Sequence, residues 1–497
     1  MIDIEIREVS AAEDGSFGVR VDFGDGGGAD VTVSAPLDDA AEKLLAWYFE
    51  EHLRYPFLDK DLERGAAELV AEYGRALFRQ VFTGEAEFGY RRAFDVGFEG
   101  YRLVVRGSSG FQRLHWETLC DPDRGERLAL RMPVVRQDSR ILLQYQSPEP
   151  APTLNILVVT ARPFGSRDVG YRLISQPLLD AIGQTTMPVT VDLVRPGTWE
   201  AMRDTLRAAA RDRGQGWYQV VHFDLHGGFG APDEFAAGAG SGRYLFDPAS
   251  ASTRGRQGFL FFETGKAGVA RPVPSSDVAR LLAEHRVAVA VLNACQSAMQ
   301  DGNEASLAQD LVAAGAPVAI GMAYSVTVSA AKQAMPVLYS RLVAGDDPVK
   351  AAFEARLSLH DMKARRGHFE QDLDLEDWIL PVVFARREPR LRLRPLTSVE
   401  SEAFYQRREQ VSVAPAVKYG FVGRDLDLHA LERLLLIDPR GGQALVRGWP
   451  GLASPPCWRM PVGGGSGPDW WTRHSTSPTS TRHGPPTRSS GISRSTC

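Results

Sequence analysis

The chain has 497 residues, 43% of them hydrophobic and 24% charged, with a formal net charge of −5. This is ordinary for globular domains with their own cores and lacks the basic excess typical of nucleic-acid-binding proteins. The acidic, alternating N-terminus is unlike a signal peptide, and no apolar run approaches the roughly 18 residues of a membrane span. Only four cysteines occur, which indicates a reducing compartment. We therefore expect a cytoplasmic protein that binds neither nucleic acid nor membranes.

The first 150 residues predict an α+β lobe. Short alternating strands surround the turn GDGGGAD, and DDAAEKLLAWYFEEHL predicts an amphipathic helix over residues 38–53. Residues 55–82 predict a pair of helices after a proline break. Residues 101–143 return to strand character in YRLVVRG, HWETLCDP and LALRMPVVR, separated by Gly, Asp and Pro. No group of residues here points to chemistry, so we expect this lobe to be structural.

Residues 151–390 predict a second unit in which buried strands alternate with helices. The apolar runs LNILVVTAR, YQVVHFDLHG, VAVAVLNAC, PVAIGMAY and WILPVVF are typical of strands covered on both faces. Amphipathic stretches such as TWEAMRDTLRAAARD and SSDVARLLAEH separate them. The pattern predicts a three-layer α/β/α sandwich around a mostly parallel sheet, with reactive groups at the carboxyl ends of its strands.

A histidine and a cysteine occupy such positions. His226 ends one predicted strand and Cys295 ends another, 69 positions later. Gly227 and Gly228 follow the histidine, where we expect a sharp turn and amides free to stabilise an oxyanion. Each residue alone would more often be structural, but the complementary pair at one sheet edge favours a Cys/His nucleophilic site.

The motifs HFDLHGG and VLNACQSA resemble the paired motif of the CHAT family, caspase-like cysteine peptidases of the same broad group as caspases, separases and gingipains. Further stretches, among them LLAWYFEEHLRYPF, LVAAGAPVAIGMAYSV and LYSRLVAGDDPVKAAFEARLSL, extend the resemblance over about residues 40–390. The resemblance implies a caspase-like fold and hydrolysis of a protein or peptide substrate through a thioester, in bacterial signalling, defence or cell death.

Residue by residue, His226 matches the catalytic histidine of the family and Cys295 its nucleophile. The backbone amides of Gly227 and Cys295 would form the oxyanion hole, and no third acidic residue is required. Asp224, two positions before the histidine, is a candidate cleft residue, and a solvated or capping carboxylate is an equally good interpretation.

Two loops, AYSVTVS and DLDLEDW, are placed to line the pocket for the residue before the scissile bond. Tyr324, Ser325 and Asp377 are their candidate cleft residues. An acidic pocket would select Arg or Lys and an apolar one would select Leu, and the sequence leaves both open.

No metal or cofactor is expected. His222 and His226 have an i, i+4 spacing, but they lie on a predicted strand without the glutamate of a zinc helix. Near the C-terminus, FVGR and then GWPGL look like the start of a STAND-type NTPase, whose P-loop is incomplete after Gly448 and Gly451. Ala453, Ser454 and Pro455 stand where the Gly-Lys-Ser of a phosphate-binding loop belongs.

Restoring one G in front of the codon for Ala453 permits GWPGLGKSTLLA, a complete P-loop, which indicates that a single-base deletion shifted the reading frame. A genuine disordered tail is the competing interpretation. We therefore expect a linker over residues 391–417, a truncated NTPase start over 418–452 and a disordered, out-of-frame tail over 453–497, with oligomerisation through the missing NTPase region.

Two functions follow. The first is a cysteine endopeptidase. The second is a non-hydrolytic CHAT scaffold or regulatory module of a STAND NTPase. The presence of both His226 and Cys295 favours the peptidase, since a scaffold needs neither.

Overall fold

A computed structural model describes residues 1–24, 27–54, 59–138, 149–165, 168, 187–232, 257–293, 304–313, 315–324, 327–367, 371–386, 391, 393–411, 430–431 and 433–437. Within these ranges the chain builds a large mixed sheet with helices packed against it.

Residues before 150 form the elements predicted for an α+β lobe. The first helix begins where the Asp38 carboxylate accepts hydrogen bonds from the backbone N–H groups of Ala40 and Ala41, an N-cap that confirms the predicted start. In chain order the elements are β1 (Ile2–Ala11), β2 (Phe17–Asp22), β3 (Gly28–Val33), α1 (Asp39–Glu50), α2 (Lys60–Val81), α3 (Glu85–Val96), β4 (Tyr101–Gly107), the short α4 (Ser109–Gln112) and β5 (Val134–Asp138).

Several details of this lobe differ from the prediction, among them the unpredicted helix α3 and a 3-10 helix, Leu128–Leu130, at the start of a predicted strand. One 22-residue helix, α2, replaces the expected pair, and Gly74 inside it serves close packing, since a Cβ there would lie 1.9 Å from the Thr118 carbonyl oxygen. The stretch HWETLCDP forms a 3-10 helix at Trp116–Thr118 instead of a strand. At Gly74, close packing against Thr118 outweighs the low helix propensity of glycine.

The second part of the chain alternates strands and helices as predicted and adds strands that the sequence pattern did not reveal. Its elements are β6 (Leu154–Thr160), β7 (Val189–Val194), α5 (Trp199–Arg213), β8 (Val220–Asp224), β9 (His226–Gly230), β10 (Gln257–Glu263), β11 (Ala270–Pro274), α6 (Ser275–Glu284), β12 (Val289–Leu292), α7 (Glu304–Ala313), β13 (Val318–Met322), α8 (Val328–Val343), α9 (Pro348–Asp361), β14 (Ala364–Arg366), β15 (Asp372–Asp374), β16 (Pro381–Ala385) and α10 (Ser398–Val411).

The main sheet has the strand order β3-β2-β1-β4-β5-β16-β13-β12-β8-β6-β7. Strands β6, β7, β8, β12 and β13 run parallel to one another, and so do β1, β4, β5 and β16. The two groups meet where β16 pairs antiparallel with β13. The predicted α/β class with a mostly parallel sheet is therefore confirmed, and the carboxyl ends of β6, β8, β12 and β13 share one edge.

Helices cover both faces of the central strands. Every residue of β6, β8, β12, β13 and β16 is buried, although successive side chains point to opposite faces. On one face, the β8 residue His222 contacts Tyr339 of α8. Strands buried on both sides are the reason why the sequence shows continuous apolar runs.

A small antiparallel sheet, β11-β10-β9, projects from the edge at which β8 ends. The chain bends at Leu225, and His226 opens β9, opposite Phe261 of β10. Gly227 and Gly228 therefore continue an extended strand, and the sharp turn expected at these glycines lies before the histidine.

The predicted boundary at residue 150 falls between β5 and β6, which belong to the same sheet. The predicted linker contains α10, whose first turn is held by reciprocal hydrogen bonds between Thr397 and Glu400. Between 418 and 452 the structure describes only 430–431 and 433–437, with a π-helical turn at Arg433–Ile437, and the tail from 453 lies outside the described residues. In the described part of the chain, no helix has the length and apolarity to cross a membrane.

Candidate active site

The site is built at the shared edge of adjacent parallel strands. The backbone N–H of Ala161, just past β6, donates to the Asp224 carbonyl at 3.1 Å, and that of Asn293, just past β12, donates to the Phe223 carbonyl at 2.9 Å. The segments leaving β6, β8 and β12 therefore start side by side. They lead to Asp168, His226 and Cys295, respectively.

His226 is held by a carboxylate that the sequence analysis did not single out. Its Nε2 lies 2.6 Å from Oδ1 of Asp168, whose side chain is 1% exposed. The other carboxylate oxygen accepts the backbone N–H of Phe164 at 2.7 Å, and the Phe164 ring centroid lies 5.6 Å from that of the imidazole. Among the described residues, Nδ1 of His226 is buried without a hydrogen-bond partner.

Cys295 lies outside the described residues, and the chain on either side of it is described. Upstream, Asn293 is fully buried beside β8. Downstream, α7 packs on β9, which carries His226, and on β10, which pairs with β9. Leu307 of α7 lies against Gly227 and Gly258, and Asp310 accepts the Gly258 N–H at 3.2 Å. Both ends of the segment that contains Cys295 thus contact elements next to the histidine.

Cys120 is the cysteine that the described residues contain, and it is a poor nucleophile. It is 5% exposed, and burial raises the pKa of its thiol. A thiol that stays protonated in an apolar site packs as a small hydrophobic group.

Asp224 does not line an open cleft, which corrects the sequence-based expectation. It is fully buried, and both of its oxygens lie 2.7 Å from a guanidinium nitrogen of Arg162. The Arg162 backbone N–H donates to Glu263 of β10 at 2.8 Å. The sequence alternatives, a solvated or a capping carboxylate, are wrong as well, because the group is an internal ion pair that fixes the junction of β8 and β9.

Asp377 is likewise buried and paired. It lies in the 3-10 helix Asp377–Ile379 and binds Arg365 through both carboxylate oxygens, at 2.5 and 2.8 Å. Burial raises the pKa of Asp377 to about 6, against the opposing effect of Arg365. Its assignment to an open cleft is therefore also corrected: the group anchors the β14–β15 hairpin beside β16.

Tyr324 follows β13 at the same edge and remains a candidate cleft residue. Its hydroxyl lies 3.5 Å from Oε2 of Glu42 and 3.3 Å from Nε2 of His115, and these two residues are 3.0 Å apart. Burial, together with the Glu42 carboxylate, raises the pKa of the Tyr324 hydroxyl, so this group stays a donor. Ser325 lies outside the described residues, and the Glu42–His115 pair is a feature that sequence reasoning missed.

No group of three or more His, Cys, Asp or Glu side chains in the described ranges is arranged to hold a metal ion. The glycines of the incomplete P-loop, Gly448 and Gly451, are outside those ranges.

Several solved structures resemble the chain at low identity. Gingipain R, described as an Arg specific cysteine proteinase, aligns with 68% of this chain and 77% of its own, at 10% identity and a TM-score of 0.35. The complex of Porphyromonas gingivalis RgpB pro- and mature domains aligns with 68% of this chain and 78% of its own, at 10% identity and a TM-score of 0.32. A chain of the Saccharomyces cerevisiae separase–securin complex aligns with 70% of this chain over 20% of its own length, at 11% identity and a TM-score of 0.27.

No curated protein matches this chain. The family model of the CHAT domain matches residues 71–403. This range contains β4 to β16 and both motif residues, His226 and Cys295, and it spans well over half of the sequence. The chain therefore belongs to the CHAT domain family.

Proposed function

We propose that the chain is a cysteine endopeptidase of the caspase-like CHAT type, with Cys295 as nucleophile and His226 as general base and acid. The observation that carries this proposal is the placement of His226. It opens β9 at the carboxyl edge of the sheet, with one ring nitrogen bound to Asp168 and the other unoccupied among the described residues. A base held on one side and free on the other suits proton transfer to a neighbouring thiol.

The reaction follows from these two groups. His226 takes the proton from the Cys295 sulfur, and the thiolate attacks the scissile carbonyl carbon, whose oxygen becomes an oxyanion. The oxyanion collapses to a thioester as the amine leaves with the proton from His226. Water, activated by the same histidine, then hydrolyses the thioester and regenerates the thiol.

Backbone amides are the proposed oxyanion donors. Gly227 lies in β9 directly after the base, and Cys295 supplies its own N–H. Fixed amide dipoles in a site shielded from water stabilise developing negative charge without reorganisation. Tyr324, with Ser325 next to it, is proposed to line the pocket for the substrate residue before the scissile bond.

The wider role is proposed from the family resemblance. We propose action on a protein substrate in the cytoplasm, in bacterial signalling, defence or cell death. We also propose that residues 418–452 are the truncated start of a STAND-type NTPase, whose missing region would mediate oligomerisation. Resequencing the gene around Ala453 tests the frameshift, and an unchanged reading frame there would refute it.

Peptidase activity is tested with a fluorogenic peptide library, using the purified chain and its Cys295→Ala and His226→Ala variants. Turnover that disappears in both variants supports the proposal and gives the preferred residue before the cleaved bond. Turnover that survives Cys295→Ala refutes it. A folded chain that cleaves nothing and whose Cys295 is no more reactive than a free thiol would instead favour the scaffold function.

A further inference from the structure

The contact between Asp168 and His226 carries an inference that rests on the proposed peptidase function and sharpens it. We propose that Asp168 is a positioning residue: it holds Nε2 of His226, so that Nδ1 is the nitrogen that exchanges the proton with Cys295. The site would then be a Cys–His–Asp unit, whereas the family resemblance requires only the cysteine and the histidine.

The carboxylate is oriented by contacts on both of its oxygens. Oδ1 lies 2.6 Å from the histidine, and Oδ2 accepts the Phe164 N–H at 2.7 Å. The Asp168 backbone N–H donates to the Gly165 carbonyl at 3.0 Å, which closes the turn that carries the side chain. A 1% exposed carboxylate with every contact fixed in this way has little freedom to leave the ring.

The contact with Asp168 leaves one ring nitrogen for the thiol. Asp168 follows β6 and Cys295 follows β12 in the sequence, and these strands flank β8, which precedes His226. With Nε2 held by Asp168, Nδ1 is the nitrogen that remains to exchange a proton. Nδ1 is buried and unpartnered among the described residues, as a base waiting for a proton would be.

Other charged groups near the ring are already engaged. Arg162 and Asp224 neutralise each other in a two-oxygen ion pair. Glu263 accepts the Arg162 backbone N–H, and Asp310 accepts the N–H of Gly258. Among the described residues, Asp168 is thus the carboxylate in hydrogen-bond contact with the imidazole.

Two chemical consequences follow. In the neutral ring, Nε2–H donates to Asp168, so the Nδ1 lone pair is available to accept the thiol proton. After the transfer, Nε2–H still donates to the Asp168 carboxylate, so the ring keeps its orientation while it carries the proton to the leaving amine.

The test compares Asp168→Asn with Asp192→Asn, a matched change on β7 whose carboxylate accepts a hydrogen bond from the Tyr218 hydroxyl at 2.8 Å. Four quantities are measured. They are kcat and KM on the best library peptide, the melting temperature, and the rate of Cys295 alkylation by iodoacetamide from pH 5 to 9, followed by peptide mapping. We expect Asp168→Asn to lower kcat at least about tenfold with KM little changed. We also expect slower alkylation of Cys295 across this pH range, because the base that takes the thiol proton is no longer held in position. Asp192→Asn should change neither.

The proposal is overturned if Asp168→Asn keeps the wild-type kcat and alkylation profile while Cys295→Ala and His226→Ala are inactive; the peptidase function then stands without it. If instead His226→Ala leaves the alkylation of Cys295 unchanged, the peptidase function and the proposal fall together. Should Asp168→Asn unfold, ¹⁵N-histidine NMR of the wild-type chain decides, with His226→Ala for assignment. A neutral ring protonated on Nε2 supports the proposal, and one protonated on Nδ1 overturns it.

Discussion

His222 and His226 lie four residues apart, on either side of the bend between β8 and β9. Both rings are buried, with one nitrogen unpartnered among the described residues, and they differ in the group that holds the other nitrogen. His222 is in the middle of β8, 1% exposed, with Nδ1 2.8 Å from the Tyr339 hydroxyl of α8. Burial lowers its pKa to about 4. His226 opens β9 at the sheet edge, and its Nε2 is paired with the Asp168 carboxylate.

Position along the strand decides the role of each ring. Inside the sheet, a histidine is enclosed on both faces and stays neutral, as an element of the core. At the carboxyl end, the strands no longer enclose the side chain, and the loops from neighbouring strands bring their own groups to it. The aspartates differ in the same manner, since Asp224 is neutralised by Arg162 within the sheet and Asp168 faces His226 beyond it.

The largest expected difference is in turnover. His226→Ala removes the proposed base and should lower kcat by at least about 100-fold in the protein that remains folded. The matched variant is His222→Phe with Tyr339→Phe, which replaces both partners of the buried hydrogen bond by apolar rings. Peptide cleavage should persist in this double variant. Equal losses of turnover in the two proteins would contradict the separation of roles.

The buried ion pair should dominate stability. Asp224→Asn removes the carboxylate charge that is paired with the buried Arg162 guanidinium, and we expect the free energy of unfolding to fall by about 3–5 kcal/mol. Asp212→Asn is the control, because Asp212 forms the same type of pair with Arg211 in solvent, where both side chains are more than half exposed. Urea denaturation measures both. A similar small effect of the two changes would show that the ion pair does not fix the β8–β9 junction.

The sequence predicted those parts of the site that short stretches of the chain encode. Apolar runs predicted the strands, and the motif around each residue identified His226 and Cys295. Asp168 was missed because it lies 58 positions before the histidine and carries no periodic signal. The burial of Asp224 depends on Arg162, 62 positions away, a tertiary contact that no local pattern encodes.

The sheet shows the same limit. Strands β6, β8 and β12 were predicted, but the antiparallel meeting of β13 and β16 depends on the path of the chain between them, through two helices and a hairpin. Strand β9 was merged with β8, because a bend at one leucine leaves no mark in an apolar run.

The pH dependence of stability gives the next smaller effect. The unfolded chain protonates His222 near pH 6.5, while the folded chain does so only near pH 4, so lowering the pH between these values stabilises the unfolded state. For this residue alone, we expect a loss of about 2 kcal/mol between pH 7.5 and pH 5. The raised pKa of Asp377, about 6, has the opposite effect, because lowering the pH through this value stabilises the folded state. This contribution is the same in the wild-type chain and in a variant that lacks His222.

The measurement is urea denaturation at the two pH values, for the wild-type chain and for the His222→Phe, Tyr339→Phe double variant. The double variant should lack the His222 contribution, so its stability should decline less toward pH 5. An identical decline in both proteins would show that the buried histidine does not set this part of the profile.

The smallest expected effect concerns the glycine beside the base. A Cβ at Gly227 would lie 2.9 Å from Cδ2 of Leu307, the far end of a side chain that can shift, so Gly227→Ala should cost only about 1 kcal/mol. Gly65→Ala in α2 is the control, because nothing lies within 4 Å of a Cβ there and helix propensity predicts a gain in stability. Adding Leu307→Ala tests the cause: in a double-mutant cycle, the Gly227→Ala penalty should vanish in the Leu307→Ala background.

Because α7 follows the segment that contains Cys295, Gly227→Ala should also lower kcat. An unchanged kcat at the expected loss of stability would show that the packing of α7 on β9 serves the fold and leaves the nucleophile unaffected.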